Sequence, residues 1–219
     1  MTSNDYTAWT GTFTPSANTS DSSNILSLAT TYTDVAGNPG PTATTANYVV
    51  DTAANTVETF EMSDTALKVG ETSAVTITFS EAVTGFTKTD ITAPNGALAN
   101  LSTDNNITFT SVFTPTADTT DSSNVLTLSG NYTDTLGNAG PTGATTANYE
   151  VDTDLPAMTT VTIASNNNTA TLATTGQTVT LSINADEDIA QPTVAFTSGG
   201  AAAGSVTYKI GRASCRERV

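Results

Sequence analysis

The side chains best equipped for chemistry in this sequence are carboxylates, and they gather in short segments. Asp51 stands in "VVDTAAN", Glu81 in "SEAVTG" and Asp134 in "TDTLGN". Asp152 and Asp154 share "VDTDLP", and "ADEDIA" holds Asp186, Glu187 and Asp188. Carboxylates close together repel one another unless a cation joins them. Oxygen-only donor sets suit Ca²⁺, which takes six to eight such ligands, and suit soft transition metals badly. The chain has no histidine, which removes the commonest general base and the commonest transition-metal ligand.

Catalytic readings find little support in the same residues. Serines and threonines are plentiful, but with neither a histidine nor a G-x-S-x-G elbow nothing activates them. A glycosidase needs two carboxylates about 5 to 9.5 Å apart across a sugar-binding cleft. Here the acids sit in single loops and aromatic platforms are scarce. There is no EF-hand pattern and no G-G-x-G-x-D repeat. Turn formation and surface charge are the alternative role for these acids. For Asp34 and Asp134 the D-x-x-G-N spacing is itself turn chemistry, with Asp accepting a backbone N–H and Gly taking positive φ.

The elements that must position these acids follow from composition and from a repeat. Thr, Ser, Asn, Gly and Ala dominate, and no apolar run approaches the roughly 18 residues of a membrane span. Sliding the chain by 100 residues sets "FTPSANTSDSSNILSLATTYTDVAGNPGPT" on "FTPTADTTDSSNVLTLSGNYTDTLGNAGPT". With Gly143 as one extra residue, residues 11–52 have 28 identities in 42 aligned positions. Solenoid coils repeat every 20 to 50 residues or so, which is far shorter. A period of about one hundred residues is the size of one immunoglobulin-like sandwich.

Strand patterning agrees. "AVTITF" alternates Val75, Ile77 and Phe79 inward with Thr76 and Thr78 outward, and "ITFTSVF" does the same with Ile107, Phe109 and Phe113. Leu126, Leu128 and Tyr132 share a face, and Tyr149 and Val151 close the copy. With the weaker segments "TVETFEM", "ALKV", "FTKTDITA" and "ALANLS", the complete copy, residues 53–152, is predicted to have seven or eight short strands. Trp9, which replaces Phe109, is predicted to be core. The recurrence of Tyr32, Tyr132, Tyr48 and Tyr149 in register argues for packing.

The segments "ALKVGETSAVTITFSEAVTGF", "FTPTAD", "TDTLGNAG" and "NYEVDTDLP" resemble the bacterial Ig-like repeats of large secreted adhesins and biofilm-associated surface proteins. The resemblance covers residues 1 to 208. It implies an all-β fold of tandem immunoglobulin-like β-sandwich domains: residues 1–52 as the later part of one domain, 53–152 as a complete domain, and 153–208 as the earlier part of a third. If the usual strand order holds, the loops after the second and sixth strands share the pole that receives the incoming linker. Asp51, Glu81 and Asp134 then converge at the first junction, and Asp152 and Asp154 face Asp186, Glu187 and Asp188 at the second. Structural Ca²⁺ at these junctions is the expectation, since such adhesins are often described as calcium-rigidified.

The tail "IGRASCRERV", Ile210–Val219, departs from everything before it and holds every arginine and the single cysteine, Cys215. It resembles the conceptual translation of a common sequencing-library adapter, so residues 209–219 are set aside. Without them two lysines, Lys68 and Lys88, face twenty acids, a net charge of −18. Met1 aligns with Leu101, so the chain is expected to be cut from a longer one at both ends. With no basic patch, nucleic acid and anionic membranes are poor partners. The expected role is a structural or adhesive segment of a secreted, extracellular surface protein, non-enzymatic, whose partners are neighbouring repeats and glycans or proteins of a host or biofilm. The alternatives are a module that itself binds a glycan or protein, and a non-catalytic accessory domain of an extracellular hydrolase.

Overall fold

A computed structural model describes residues 7–195, and the backbone of 2–3, 197–198 and 201–202. The adapter-like tail lies outside the described residues. Among the described residues the chain is all-β with one short 3-10 turn, and it divides into two compact units, Met1–Thr153 and Asp154–Val219.

The complete copy carries seven strands of three or more residues: β1 (Val57–Met62), β2 (Ala66–Lys68), β3 (Ser73–Phe79), β4 (Gly96–Ser102), β5 (Thr108–Pro115), β6 (Thr120–Asn124) and β7 (Tyr149–Asp152). One sheet has the order β4-β5-β3-β1, antiparallel throughout. In the other, β6 pairs antiparallel with β7, and β7 pairs parallel with β2. Two-residue ladders, Val83–Thr84 with Thr133–Asp134 and Ile91–Thr92 with Thr127–Leu128, close the sides.

Alternation sets the core, because a strand residue and its second neighbour share a face. Val75, Ile77, Phe79, Phe109, Phe113, Leu126, Leu128, Tyr132, Tyr149 and Val151 are all buried in one cluster. Phe79 and Phe86 pack on each other and each on Phe109 and Tyr132, with centroids 4.9 to 5.9 Å apart and mostly edge to face, the favoured aromatic geometry. Ile107 is only half-buried, at the mouth of β5.

"FTKTDITA" departs from its predicted strand: Lys88–Asp90 forms the 3-10 turn, and only Ile91–Thr92 is strand. The reason is local. The Asp90 carboxylate accepts from the Thr87 amide at 2.8 Å and the Thr87 hydroxyl at 3.0 Å, which closes the turn.

Residues 7–52 repeat the later half of this plan. Ser20–Asn24 pairs with Tyr48–Asp51 in the register of β6 with β7. Trp9 corrects its prediction: it is 56% exposed, whereas its counterpart Phe109 is 5% exposed beneath Phe79 and Phe86. The strand that supplies Phe79 belongs to the earlier half of the repeat.

The second unit holds a two-strand hairpin. Met158–Ser165 and Val179–Ala185 form an antiparallel pair like β1 with β3. In both, a two-way bond starts the hairpin: Thr56 N–H donates to Ser80 Oγ and Ser80 N–H to Thr56 O, as Ala157 N–H donates to Asp186 Oδ1 and Asp186 N–H to Ala157 O.

Candidate functional site

The segment joining the first copy to the second is held at both ends. Thr52 ties it to the first copy: its hydroxyl donates to Ser16 O at 2.7 Å and accepts from Thr19 N–H at 3.0 Å, and its amide donates to Thr19 O at 2.7 Å. Asn55, 2% exposed, ties it to the second copy, donating to Glu81 O at 3.4 Å and accepting from the Ser80 hydroxyl at 3.3 Å. Thr153 repeats the role of Thr52 at the end of the second copy, donating to Thr116 O at 2.6 Å.

The repeated turn supplies a third attachment. Asp134 Oδ1 accepts from the amides of Leu136 at 2.8 Å and Asn138 at 2.9 Å, while Oδ2 accepts from Asn138 Nδ2 at 2.7 Å. Gly137 has φ of 95°, as the closing turn requires. The same Asn138 amide nitrogen also donates to Asp51 O at 3.1 Å, across the junction. Two residues on, Gly140 leaves room for the Tyr132 ring: a Cβ there would lie 2.2 Å from Tyr132 Cε2. The ring hydroxyl then donates to Pro141 O at 3.1 Å. Asp34, Asn38, Tyr32 and Gly40 form the same turn in the first copy.

At this pole Asp51, Glu81 and Asp134 each offer a carboxylate oxygen, all within 4.8 Å of one another. Asp134 is buried and the other two are half-buried. Among the described residues, no lysine or arginine forms an ion pair with any of the three. Lys68 is instead 3.1 Å from Glu71. Burial, with the charges of Asp51 and Asp134, pushes the Glu81 carboxyl above its ordinary value. Burial also acts to raise Asp134, but its hydrogen bonds from Asn138, Leu136 and Gly137 outweigh it and hold the carboxyl below the usual range. Asp51 Oδ1 accepts from Ala53 N–H at 3.1 Å. The donor set is oxygen only and lacks a countercharge, which fits a hard divalent cation.

These three acids come from three separate segments, so the expectation that acids sit in single loops does not hold here. Both Asp134 oxygens are engaged by donors of its own turn. The aromatic side chains of this copy are in the core, except Phe60, which is half-buried against it.

The remaining candidates lie at the following junction. Asp152 Oδ1, in the first unit, accepts from the Thr120 hydroxyl at 3.1 Å. Asp154, Asp186, Glu187 and Asp188 belong to the second unit and are exposed. Asp186 Oδ1 accepts from Ala157 N–H at 2.7 Å. Within that unit these four do not form a group as close as that of Asp51, Glu81 and Asp134. Sequence reasoning missed Asn138, Asn55 and Thr52 as functional residues. The signal for two of them was present, since Asn38 with Asn138 and Thr52 with Thr153 recur in register.

Comparison with protein families matches the Bacterial Ig-like domain twice, over residues 1–50 and 51–151. The chain therefore belongs to the bacterial Ig-like domain family. Searches among curated proteins and among solved structures give no match. Domains of this family are generally non-catalytic, and the match marks a surface or structural module. Such domains are commonly extracellular, and no helix among the described residues is long and apolar enough to cross a membrane.

Proposed function

We propose that this chain is a spacer segment of a secreted bacterial adhesin or biofilm surface protein, with Ca²⁺ bridging the domain junctions. Its work is mechanical: each sandwich buries a small core, and the junction fixes the angle to its neighbour. The reading rests on one observation above the others. Three carboxylates from the linker and two loops of the next domain meet within 4.8 Å, with no basic partner among the described residues. Asn138, Thr52 and Asn55 already hold the linker, so a cation there would stiffen a nearly ordered segment at small entropic cost. Asp152 is the repeat equivalent of Asp51, and Asp154, Asp186, Glu187 and Asp188 are further acids of the second unit.

Asp51, Glu81 and Asp134 would hold the ion, supplying carboxylate oxygens to a metal that prefers such ligands. No catalytic step is assigned to the chain. Its partners are neighbouring repeats and, through modules elsewhere in the array, host or biofilm glycans and proteins.

Melting in millimolar Ca²⁺ and in chelator tests this. A cation bound only by the folded state raises stability by RT ln(1 + [L]/Kd), about 2.7 kcal/mol at a hundredfold excess over Kd. That is a shift of roughly 10 °C or more for a domain of this size. Glu81→Gln should remove most of the gain. An unchanged midpoint in wild type would reduce these acids to surface charge.

A further inference from the structure

The chain contains a single Asn-Gly pair, Asn95–Gly96, and it stands where β4 begins. Packing imposes the glycine: a Cβ there would lie 2.2 Å from Cζ of the buried Phe113 ring. Asn95 takes a left-handed φ of 52°, and its carbonyl accepts from the Thr116 amide at 2.9 Å. Its side chain reaches across to β6 in the other sheet. Nδ2 donates to Asp121 Oδ2 at 2.8 Å and to Asn124 Oδ1 at 2.7 Å, which uses both amide protons. Asn124 is itself only 4% exposed, and its own Nδ2 donates to Asp121 O at 3.0 Å and Tyr149 O at 3.2 Å. The Tyr149 hydroxyl returns to Pro94 O, beside Asn95. Asn95 thus ties the two sheets together, and only a donor fits against its two acceptors.

We propose that Asn95 is a site of spontaneous deamidation that the fold guards, so that prolonged opening of the domain is written into the chain. In an open chain nothing shields the Gly96 nitrogen, because glycine has no Cβ and its backbone turns freely. That nitrogen gives up its proton to solvent base and attacks Asn95 Cγ. The new C–N bond closes a succinimide ring, and Nδ2 leaves as ammonia, taking a proton from water. Water then opens either carbonyl of the ring and yields aspartate or isoaspartate. The net reaction consumes water and releases ammonia, with no oxidant, reductant or enzyme. In the folded domain Nδ2 is held on Asp121 and Asn124 and the Asn95 carbonyl on Thr116, which keeps Cγ from turning onto the Gly96 nitrogen. The product does not fit the closed domain. Its carboxylate would meet the Asp121 carboxylate and the Asn124 side-chain oxygen where two hydrogen bonds had been. Isoaspartate would also lengthen the backbone by a methylene beside Thr116. Conversion is suppressed while the domain is closed and weakens the domain once made.

Incubation of the full 219-residue chain at mildly alkaline pH, folded in buffer and unfolded in guanidinium chloride, tests this. The peptide holding Asn95 and Gly96 is followed by mass, and its aspartate and isoaspartate forms are separated by chromatography. The unfolded chain should convert at Asn95 within days. The folded chain should convert more slowly by the fraction of molecules open, roughly a thousandfold or more. Chain converted while unfolded and then returned to buffer should melt below unconverted chain. Asn95→Asp should melt below both wild type and Asn95→Ala, because Asn95→Ala loses the two bonds without adding a charge. The rate comparison needs no variant and stands whether or not the variants fold. Equal rates in the folded and unfolded chain overturn the proposal, as does an Asn95→Asp domain as stable as wild type.

Discussion

At the scale of the residue, the repeated turn is where one or two atoms decide most. Asn138 Nδ2 serves Asp134 Oδ2 within the turn and Asp51 O across the junction. Asn138→Ala leaves the buried Asp134 carboxylate with fewer donors, at a cost of about 1–3 kcal/mol, and it frees the linker carbonyl. Chemical denaturation should report that loss. Gly140→Ala meets the Tyr132 ring, which is fixed by Phe79 and Phe86 and cannot retreat. Overpacking of this kind costs about 1–3 kcal/mol. Glu81 acts in the opposite sense. Its folded-state carboxyl binds a proton more tightly than the ordinary group does, so without a cation its charge destabilises the fold above that raised value. The penalty disappears as pH falls below the unfolded value of 4.5. Glu81→Gln should therefore raise the calcium-free melting midpoint at pH 7 by a few degrees, and the difference should vanish near pH 4. A midpoint lowered at pH 7 would contradict this.

At the scale of the element, period-two alternation was a sound guide wherever a strand has partners on both sides. Val75, Ile77 and Phe79 in β3 and Phe109 and Phe113 in β5 are buried as their spacing requires. The same pattern misled at Trp9, because alternation marks a face without saying what covers it: Phe109 lies against Phe79 and Phe86, whereas Trp9 is exposed. "FTKTDITA" was misread because β-rich composition hid the Thr87–Asp90 pair, a side-chain-to-backbone signal that competes with strand. Asp90→Ala removes the acceptor for two Thr87 donors and should cost about 1–2 kcal/mol, the range of a lost cap. Hydrogen exchange at the Thr87 amide should rise with it. The acids at the first junction were legible as a group because strand order puts both loops at one pole. The Asn138 bridge was not, since nothing in the turn's own chemistry requires its amide to reach residue 51.

At the scale of the whole molecule, two matches to one domain family and a hundred-residue self-similarity describe modules in series. The chain's acidity keeps such modules from sticking through their edges, and it concentrates cations where carboxylates meet. A spacer of this kind requires the first junction to be a fixed joint. Spin labels at Ser22→Cys and Thr114→Cys, with Cys215→Ser, both at exposed positions, report the distance between the two copies by pulsed electron resonance. A narrow distribution that narrows further with Ca²⁺, and broadens in Asn138→Ala, is the predicted result. A broad distribution indifferent to both the ion and the substitution would contradict it.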